Sequence, residues 1–392
     1  MPINRRDFLI ASIVLLAGCK RSEPAQKRVE GTDVFLGGGQ YREDAEAQTR
    51  FVMSVVDVDA AGARRSITPS RFLPHGIHAH PQQLHRLALF EKKGPGACEY
   101  DLGTQQIIRP IPTTKNRYFY GHGAYSADGK VLMSTEADVD SLDGAIGIRD
   151  STSLDYLGAF PSYGKAPHEC RLIDDGRTLV VTNGGGELGG DPPSVTYIDV
   201  ASQKLLDRVL LTDARLNTGH LGIARDRSLV VVSAPRAGLG TVERGGVSIR
   251  NPGGEMETLT EPAQLPRDLR GEALSVAIHD ETGVAAVTHP DSNLVTFWSL
   301  RERVLIKTLS VHKPRGVTLT HDRNAFVISG GEQASLIKVP VATLVPDAQP
   351  MIALSYMTGS HIYNWSSGMS EILSPGPMAA VPRRRDDASA VT

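Results

Sequence analysis

Tyr120-Gly-His-Gly-Ala-Tyr-Ser-Ala-Asp-Gly-Lys-Val-Leu-Met-Ser-Thr135 contains a Gly-His pair, a short half-apolar run, an Asp-Gly turn signal and a β-rich run. That order describes two antiparallel strands joined by a tight turn, with the histidine where the first strand begins. The pattern returns in Ala166-Pro-His-Glu-Cys-Arg-Leu-Ile-Asp-Asp-Gly-Arg-Thr-Leu-Val-Val-Thr-Asn183, where His168 aligns with His122 and Asp175-Gly176 with Asp128-Gly129. A fainter copy is Thr218-Gly-His-Leu-Gly-Ile-Ala-Arg-Asp-Arg-Ser-Leu-Val-Val-Val-Ser233. Working outward gives seven copies, marked by His75, His122, His168, His220, Glu272, Arg315 and His361 and spaced 47, 46, 52, 52, 43 and 46 residues apart. A period of about 40–50 residues is that of a four-stranded propeller blade. One blade cannot bury both faces of its sheet, so the copies predict an all-β, seven-bladed β-propeller of antiparallel four-stranded blades.

The two ends of the repeat region are expected to meet. Val34–Gly39 resembles Phe326–Gly331, the second strand of the sixth copy, and Phe51–Asp57 and Ala63–Thr68 supply a third and a fourth strand. These lack an inner partner, which His361-Ile-Tyr-Asn-Trp365 provides, so that a shared blade closes the ring and hides its edges. Third strands are expected at Gly96–Asp101, Gly144–Asp150, Ser194–Asp199, Gly246–Asn251, Asn293–Trp298 and Ala334–Val339. Four of these close on Asp or Asn, whose short side chains bond the backbone of the following turn. The Gly-rich runs Asn183–Asp191 and Arg236–Gly246 join second to third strands and are expected on the face of the disc. Neither leads from a strand into a helix, so neither is a phosphate-binding loop.

Residues 32–373 are thus read as one propeller, flanked by segments of other composition. Arg5-Arg6-Asp7-Phe8-Leu9 resembles a twin-arginine export signal, and Ile10–Ala17 is an apolar run too short to span a bilayer. Leu16-Ala17-Gly18-Cys19 resembles a bacterial lipobox, with cleavage before Cys19 and acylation of its thiol; residues 1–19 are therefore set aside as a leader. Residues 20–31 read as a polar tether and residues 374–392, rich in proline and arginine, as a disordered tail. The expected location is the periplasmic side of a bacterial membrane, lipid-anchored. Lys20 after the cysteine favours the outer membrane, by resemblance to other lipoproteins. A net charge of −2, with no basic block in the repeats, excludes a nucleic-acid binder. Cys98 and Cys170 fall two blades apart, too far for a disulfide; the chain is expected to be a monomer.

Innermost strands line a propeller's channel, so the repeat positions His75, His122, His168, His220, Glu272, Arg315 and His361 are expected to form a ring there. Imidazole suits zinc, copper, iron and nickel. His122, His168 and His220, from three consecutive blades, form the candidate metal set for a divalent ion. Cys170, two residues after His168, joins them by strand alternation. The competing reading is a collar in which the ring nitrogens bond carbonyls of the adjoining blade. His78, His80, His85, His279, His289, His312 and His321 are expected at the surface or at strand ends. No Ser-His-Asp order, HExxH, CxxCH or CxxC pair occurs.

The leader, Pro74-His-Gly-Ile-His-Ala-His-Pro81, the Phe119–Gly129 run, Gly144-Ala-Ile-Gly-Ile148 and Pro167-His-Glu169 resemble an uncharacterised bacterial propeller family, domain of unknown function 1513. The resemblance covers about residues 30–370 and implies seven blades. It also implies a setting beside imelysin-like and di-haem oxidase-like proteins in iron-acquisition operons. The leading expectation is a membrane-anchored, non-catalytic metal- or protein-binding accessory. Two alternatives stay open: an enzyme with chemistry in the channel, either an oxidoreductase component or a lactonase-type hydrolase, and a pure interaction scaffold.

Overall fold

The second strand of each repeat is apolar nearly throughout, as in Thr178–Asn183, Leu229–Ser233 and Ala325–Gly330, which are buried along their whole length. A strand buried on both faces has no polar side to alternate with. By contrast Val304–Ser310, an outer strand, alternates exposed and half-buried residues. The computed structural model describes residues 33–365, apart from 45, 59–62, 241–242 and 263–264. In it these strands stand in seven separate antiparallel sheets arranged as a propeller, with a helical turn, Leu265–Asp268, between the fourth and fifth blades and a 3-10 turn, Pro290–Ser292, within the fifth. Apolar clusters lie between neighbouring sheets; one joins Val180, Val195 and Leu216 to Leu229 and Val231 of the next blade.

The first blade comprises Gly76–Ala79, Arg86–Phe90, Ala97–Asp101 and Gln106–Pro110. The third, fourth and fifth are four-stranded in the same sequential order. Two blades depart from the four-stranded pattern. In the second, the short strand Lys92–Gly94 adds to the inner edge of Arg117–Tyr125, pairing Lys92 with Tyr120. In the sixth, the outer strand is reduced to a bridge between Leu336 and Ile352, because Pro346 and Pro350 interrupt the segment that would pair.

The closing blade forms as the sequence predicts. Val34–Tyr41 pairs with Arg50–Asp57 on one side and Tyr363–Asn364 on the other, with Phe35 opposite Asn364 and Leu36 opposite Tyr363. Asn364 Nδ2 donates to Asp33 Oδ1 at 2.6 Å and to the Leu319 carbonyl at 2.9 Å, and so ties both chain ends to the sixth blade. Asp101, Asp150 and Asp199 accept turn N–H groups of Thr104, Ser153 and Ser202, each at 2.7 Å. The two Gly-rich connections meet at a parallel bridge between Glu187 and Ala237. There the buried Arg236 guanidinium donates to the carbonyls of Gly185, Glu187 and Asp191. Cys98 and Cys170 are buried free thiols. The leader with Cys19, the tether and the tail lie outside the described residues.

Inner strands are bulged where they reach the channel. In the second blade Tyr120, Gly121 and His122 together stand opposite Thr135, since Ser134 pairs with Gly123 and Glu136 with Phe119. In the third, His168 and Glu169 stand opposite Thr182. Thr135 holds the first bulge: its hydroxyl accepts from the His122 N–H at 3.3 Å and donates to the His168 carbonyl, in the next blade, at 3.0 Å. Thr182 and Thr288 repeat this link, donating to the carbonyls of Gly219 and Arg315. Bulges re-aim side chains, and here they turn histidines toward the axis.

Candidate metal centre

Five histidines converge in the channel, all nearly excluded from solvent: His75, His122, His168, His220 and His361. Apart from the His168–His361 pair, their ring centroids lie from 4.0 Å (His220–His361) to 5.3 Å (His122–His220) apart. Gly121 makes room for them. Its φ of 127° suits only glycine, and a Cβ there would meet the His75 ring at 2.8 Å.

The hydrogen bonds at the rim of the cluster assign its tautomers. His168 Nδ1 lies 3.0 Å from the Tyr120 carbonyl, and His220 Nδ1 bonds the Leu274 carbonyl. A carbonyl only accepts, so both Nδ1 atoms carry the proton and both Nε2 atoms present lone pairs. Those two Nε2 atoms face each other at 2.8 Å, and His75 Nε2 lies 3.0 Å from that of His220 and 3.3 Å from that of His168. One proton on His75 Nε2 can serve one of these contacts; the His168–His220 pair still sets lone pair against lone pair. A metal at about 2.0–2.1 Å from each nitrogen, with tetrahedral angles, requires N···N separations near 3.3 Å. A point about 2.1 Å from all three Nε2 atoms lies about 1 Å out of their plane. The Nδ1–H to carbonyl bonds are the outer contacts that fix a metal-ligating imidazole.

His122 and His361 stand beside this triad. One ligand atom each from His75, His122, His220 and His361 lies within 4.8 Å of the others. Both His122 ring nitrogens and His361 Nε2 are buried without a hydrogen-bond partner among the described residues. Burial, above all, holds His75, His122, His168 and His361 far below the usual 6.5 and His220 down to about 3. The Lys92 charge pushes the same way on four of them, all but His122. The rings are therefore neutral at physiological pH, as metal ligation requires.

Glu272, Arg315 and Cys170 do not complete this group. In the fifth repeat Leu274 N–H bonds the Thr288 carbonyl as Gly219 N–H bonds that of Val232, so Ser275 holds the place of His220 and Glu272 lies three residues upstream. Arg315 lies half-buried in the channel, its Nε donating to the Gly359 carbonyl at 3.3 Å. Glu272 and Arg315 instead lie in the electrostatic neighbourhood of Lys92. The bulge between Pro167 and Cys170 breaks the alternation that would set Cys170 beside His168. The thiol packs among Met133, Ile146 and Leu179, and burial raises its pKa. His80 and His289 lie at strand ends as expected, directly after Gly76–Ala79 and as the last residue of Val284–His289, but not at the surface. Both are buried: His80 Nε2 bonds the Gly129 carbonyl at 2.9 Å and His289 Nε2 bonds Thr296 Oγ1 at 2.9 Å. His75 and His361 are the donors that spacing alone left out of the metal set. The signal for His75 was the Pro-His-Gly and Gly-His-Gly pair, whose glycines Gly76 and Gly121 pack against each other's histidines.

No curated protein matches the chain. Among solved structures, Kuenenia stuttgartiensis hydrazine synthase is similar, with a TM-score of 0.59 and 16% identity over 75% of this chain and 92% of that one. At that identity the likeness is one of fold alone. Residues 68–354 match the family described as "Protein of unknown function (DUF1513)", and the chain belongs to that family.

Proposed function

We propose that the protein is a lipid-anchored propeller on the periplasmic side of a bacterial membrane that binds one divalent transition-metal ion in its channel as a non-catalytic accessory of iron acquisition. The observation that carries the metal reading is the pair of Nε2 lone pairs on His168 and His220, 2.8 Å apart in a buried site, with His75 Nε2 beside them. An electrophile relieves that opposition, and an all-imidazole set favours zinc, copper, nickel or iron over calcium or magnesium, which take oxygen ligands. The iron setting and the imelysin-like and di-haem oxidase-like partners rest on the family resemblance.

Titration of the metal-free protein with Zn2+, Cu2+ and anaerobic Fe2+ at pH 7.5 is expected to give one equivalent bound for each. Uptake of none overturns the metal reading; uptake of Zn2+ and Cu2+ without Fe2+ removes the iron assignment and leaves the site. Anchoring is supported by Leu16-Ala-Gly-Cys19 after the twin arginines. A metabolically supplied fatty acid is expected to label the wild-type protein and not Cys19→Ala; equal labelling sinks the lipoprotein assignment.

A further inference from the structure

A metal dication at the histidine cluster would have no anionic neighbour among its own ligands, since the five converging donors are all neutral imidazoles. Cations approach the cluster from the channel as well. Lys92 acts on His75, His168, His220 and His361, and Arg171 acts on His78, His220 and His361. Glu169 pairs with Arg171 at 2.8 Å through Oε1, while its Oε2 accepts the Leu221 N–H at 2.8 Å. Glu272 opposes Lys92, but Arg315 is its neighbour too. Around the cluster the cations Lys92, Arg171 and Arg315 thus outnumber the acids Glu169 and Glu272, and a bound metal dication would add to that excess; an excess positive charge in a channel of low dielectric attracts a counter-charge.

The channel provides a place for one. Against His361 it widens into a cavity of about 310 Å3, lined among others by Arg171, Ser275, Thr318, His361 and Tyr363, and also by Asp280 and Arg323, which pair with each other at 3.1 Å. That is near the lower limit of about 300 Å3 for small-molecule sites. Arg171 is 49% exposed there. Its Nε and one Nη2 hydrogen are committed to Glu169 at 2.8 Å, which leaves three of the five guanidinium N–H groups for a ligand. Tyr363 lies on the same wall with its ring 5.7 Å from that of His361, and burial keeps its phenol protonated and able to donate. His361 belongs to both places: it lines the cavity, one of its ring nitrogens lies within 4.8 Å of ligand atoms of His75, His122 and His220, and its Nε2 is buried without a hydrogen-bond partner among the described residues.

We propose that this cavity seats a small oxyanion of the carboxylate class, held by Arg171 and Tyr363 and reaching the metal beside His361, so that metal and anion bind as a pair. The inference rests on the metal reading above and adds the class of its second ligand. Guanidinium recognises carboxylate in a planar, two-bond geometry that a point charge lacks. Coupling is reciprocal, so the anion tightens the metal by the factor by which the metal tightens the anion.

Co2+ and oxalate test it on the full chain in an oxyanion-free chloride buffer. Co2+ is added first and followed by its visible absorption. Oxalate is expected to change that spectrum saturably and to tighten Co2+ at least about tenfold. Arg171→Gln is expected to bind Co2+ alone no more weakly than wild type and to lose most of the oxalate effect, with Arg171→Lys between them. Thr318→Glu, which sets a carboxylate into the cavity wall and leaves Arg171 in place, is expected to tighten Co2+ and to abolish the response to oxalate. Co2+ bound with no response to oxalate overturns the inference and leaves the metal reading standing. An oxalate effect of wild-type size in both Arg171→Gln and Thr318→Glu also overturns it. Failure to take up Co2+ with or without oxalate strikes the metal reading itself.

Discussion

A His168→Ala protein is expected to bind Zn2+ at least about a hundredfold more weakly than wild type, because loss of an outer contact alone costs 10- to 100-fold and here a direct ligand is removed. The Nε2 atom deleted is the one facing His220 at 2.8 Å, and the remaining pair, His75 and His220 at 3.0 Å, holds only two points of the triangle. Thermal stability separates this from a purely structural role. Wild type with Zn2+ at a hundred times its Kd is expected to gain about 2.7 kcal/mol, and His168→Ala at the same Zn2+ concentration to gain almost none. In the absence of metal the variant is expected to melt close to wild type, since two changes oppose. The Tyr120 carbonyl loses its Nδ1–H donor, and the lone-pair opposition with His220 disappears. If the histidines are only a collar, the pattern inverts: no Zn2+ effect on either protein, and a loss of about 1–3 kcal/mol from the unsatisfied carbonyl. Indistinguishable Zn2+ titrations of the two proteins end the metal assignment at this position.

The architecture was legible because a blade is a local object. The turn signals at Asp128-Gly129 and Asp175-Gly176 and the β-rich runs beside them recur within each repeat, and counting repeats closes the ring. The partnership of His361-Ile-Tyr-Asn-Trp365 with Val34–Gly39 could be read because three strands at one end lacked a fourth. Convergence of the histidines followed from their place at the start of inner strands.

What the sequence concealed was the local departure from strand geometry. Strand alternation set Cys170 beside His168, and a bulge opposite Thr182 undid it. The fifth repeat lost its alignment because the chain before Val276 makes a helical turn, Leu265–Asp268, and the Gly271-Glu272 pair imitates the Gly-His that precedes other inner strands. Thr288 offered a better anchor, since Thr135 and Thr182 take the same position in their blades. His75 and His361 stand 286 residues apart in the chain, yet lie in adjacent blades once the ring closes, with ring centroids 5.1 Å apart. Lys92-Lys93-Gly94 has no β signal at all; it forms a strand only because the inner edge of the second blade offers unpaired backbone groups.

Acid is expected to unfold the metal-free protein through its histidine cluster, beginning below about pH 6.5 and before most carboxylates are protonated. The five cluster imidazoles are neutral when folded, because burial lowers their pKa values far below 6.5. In the unfolded chain each titrates at about 6.5. Below that pH the unfolded state therefore binds more protons than the folded state, and stability falls as pH falls; above about pH 7.5 both states hold neutral rings and these groups contribute no slope. Each ring contributes at most about 1.4 kcal/mol per pH unit, and five together about 7 kcal/mol per unit. A domain of ordinary stability, about 5–15 kcal/mol, is exhausted within one to two pH units of 6.5, so the midpoint of unfolding is expected between about pH 4.5 and 5.5. His122→Gln keeps a polar ring-sized group without a titrating nitrogen, and is expected to reduce the slope of urea-derived stability between pH 6 and 5 by about 1.4 kcal/mol per unit. Excess Zn2+ holds the rings neutral in the folded state and is expected to shift the midpoint to lower pH. A metal-free stability curve that stays flat from pH 7 to pH 5 contradicts a buried, neutral histidine cluster at the centre of the propeller.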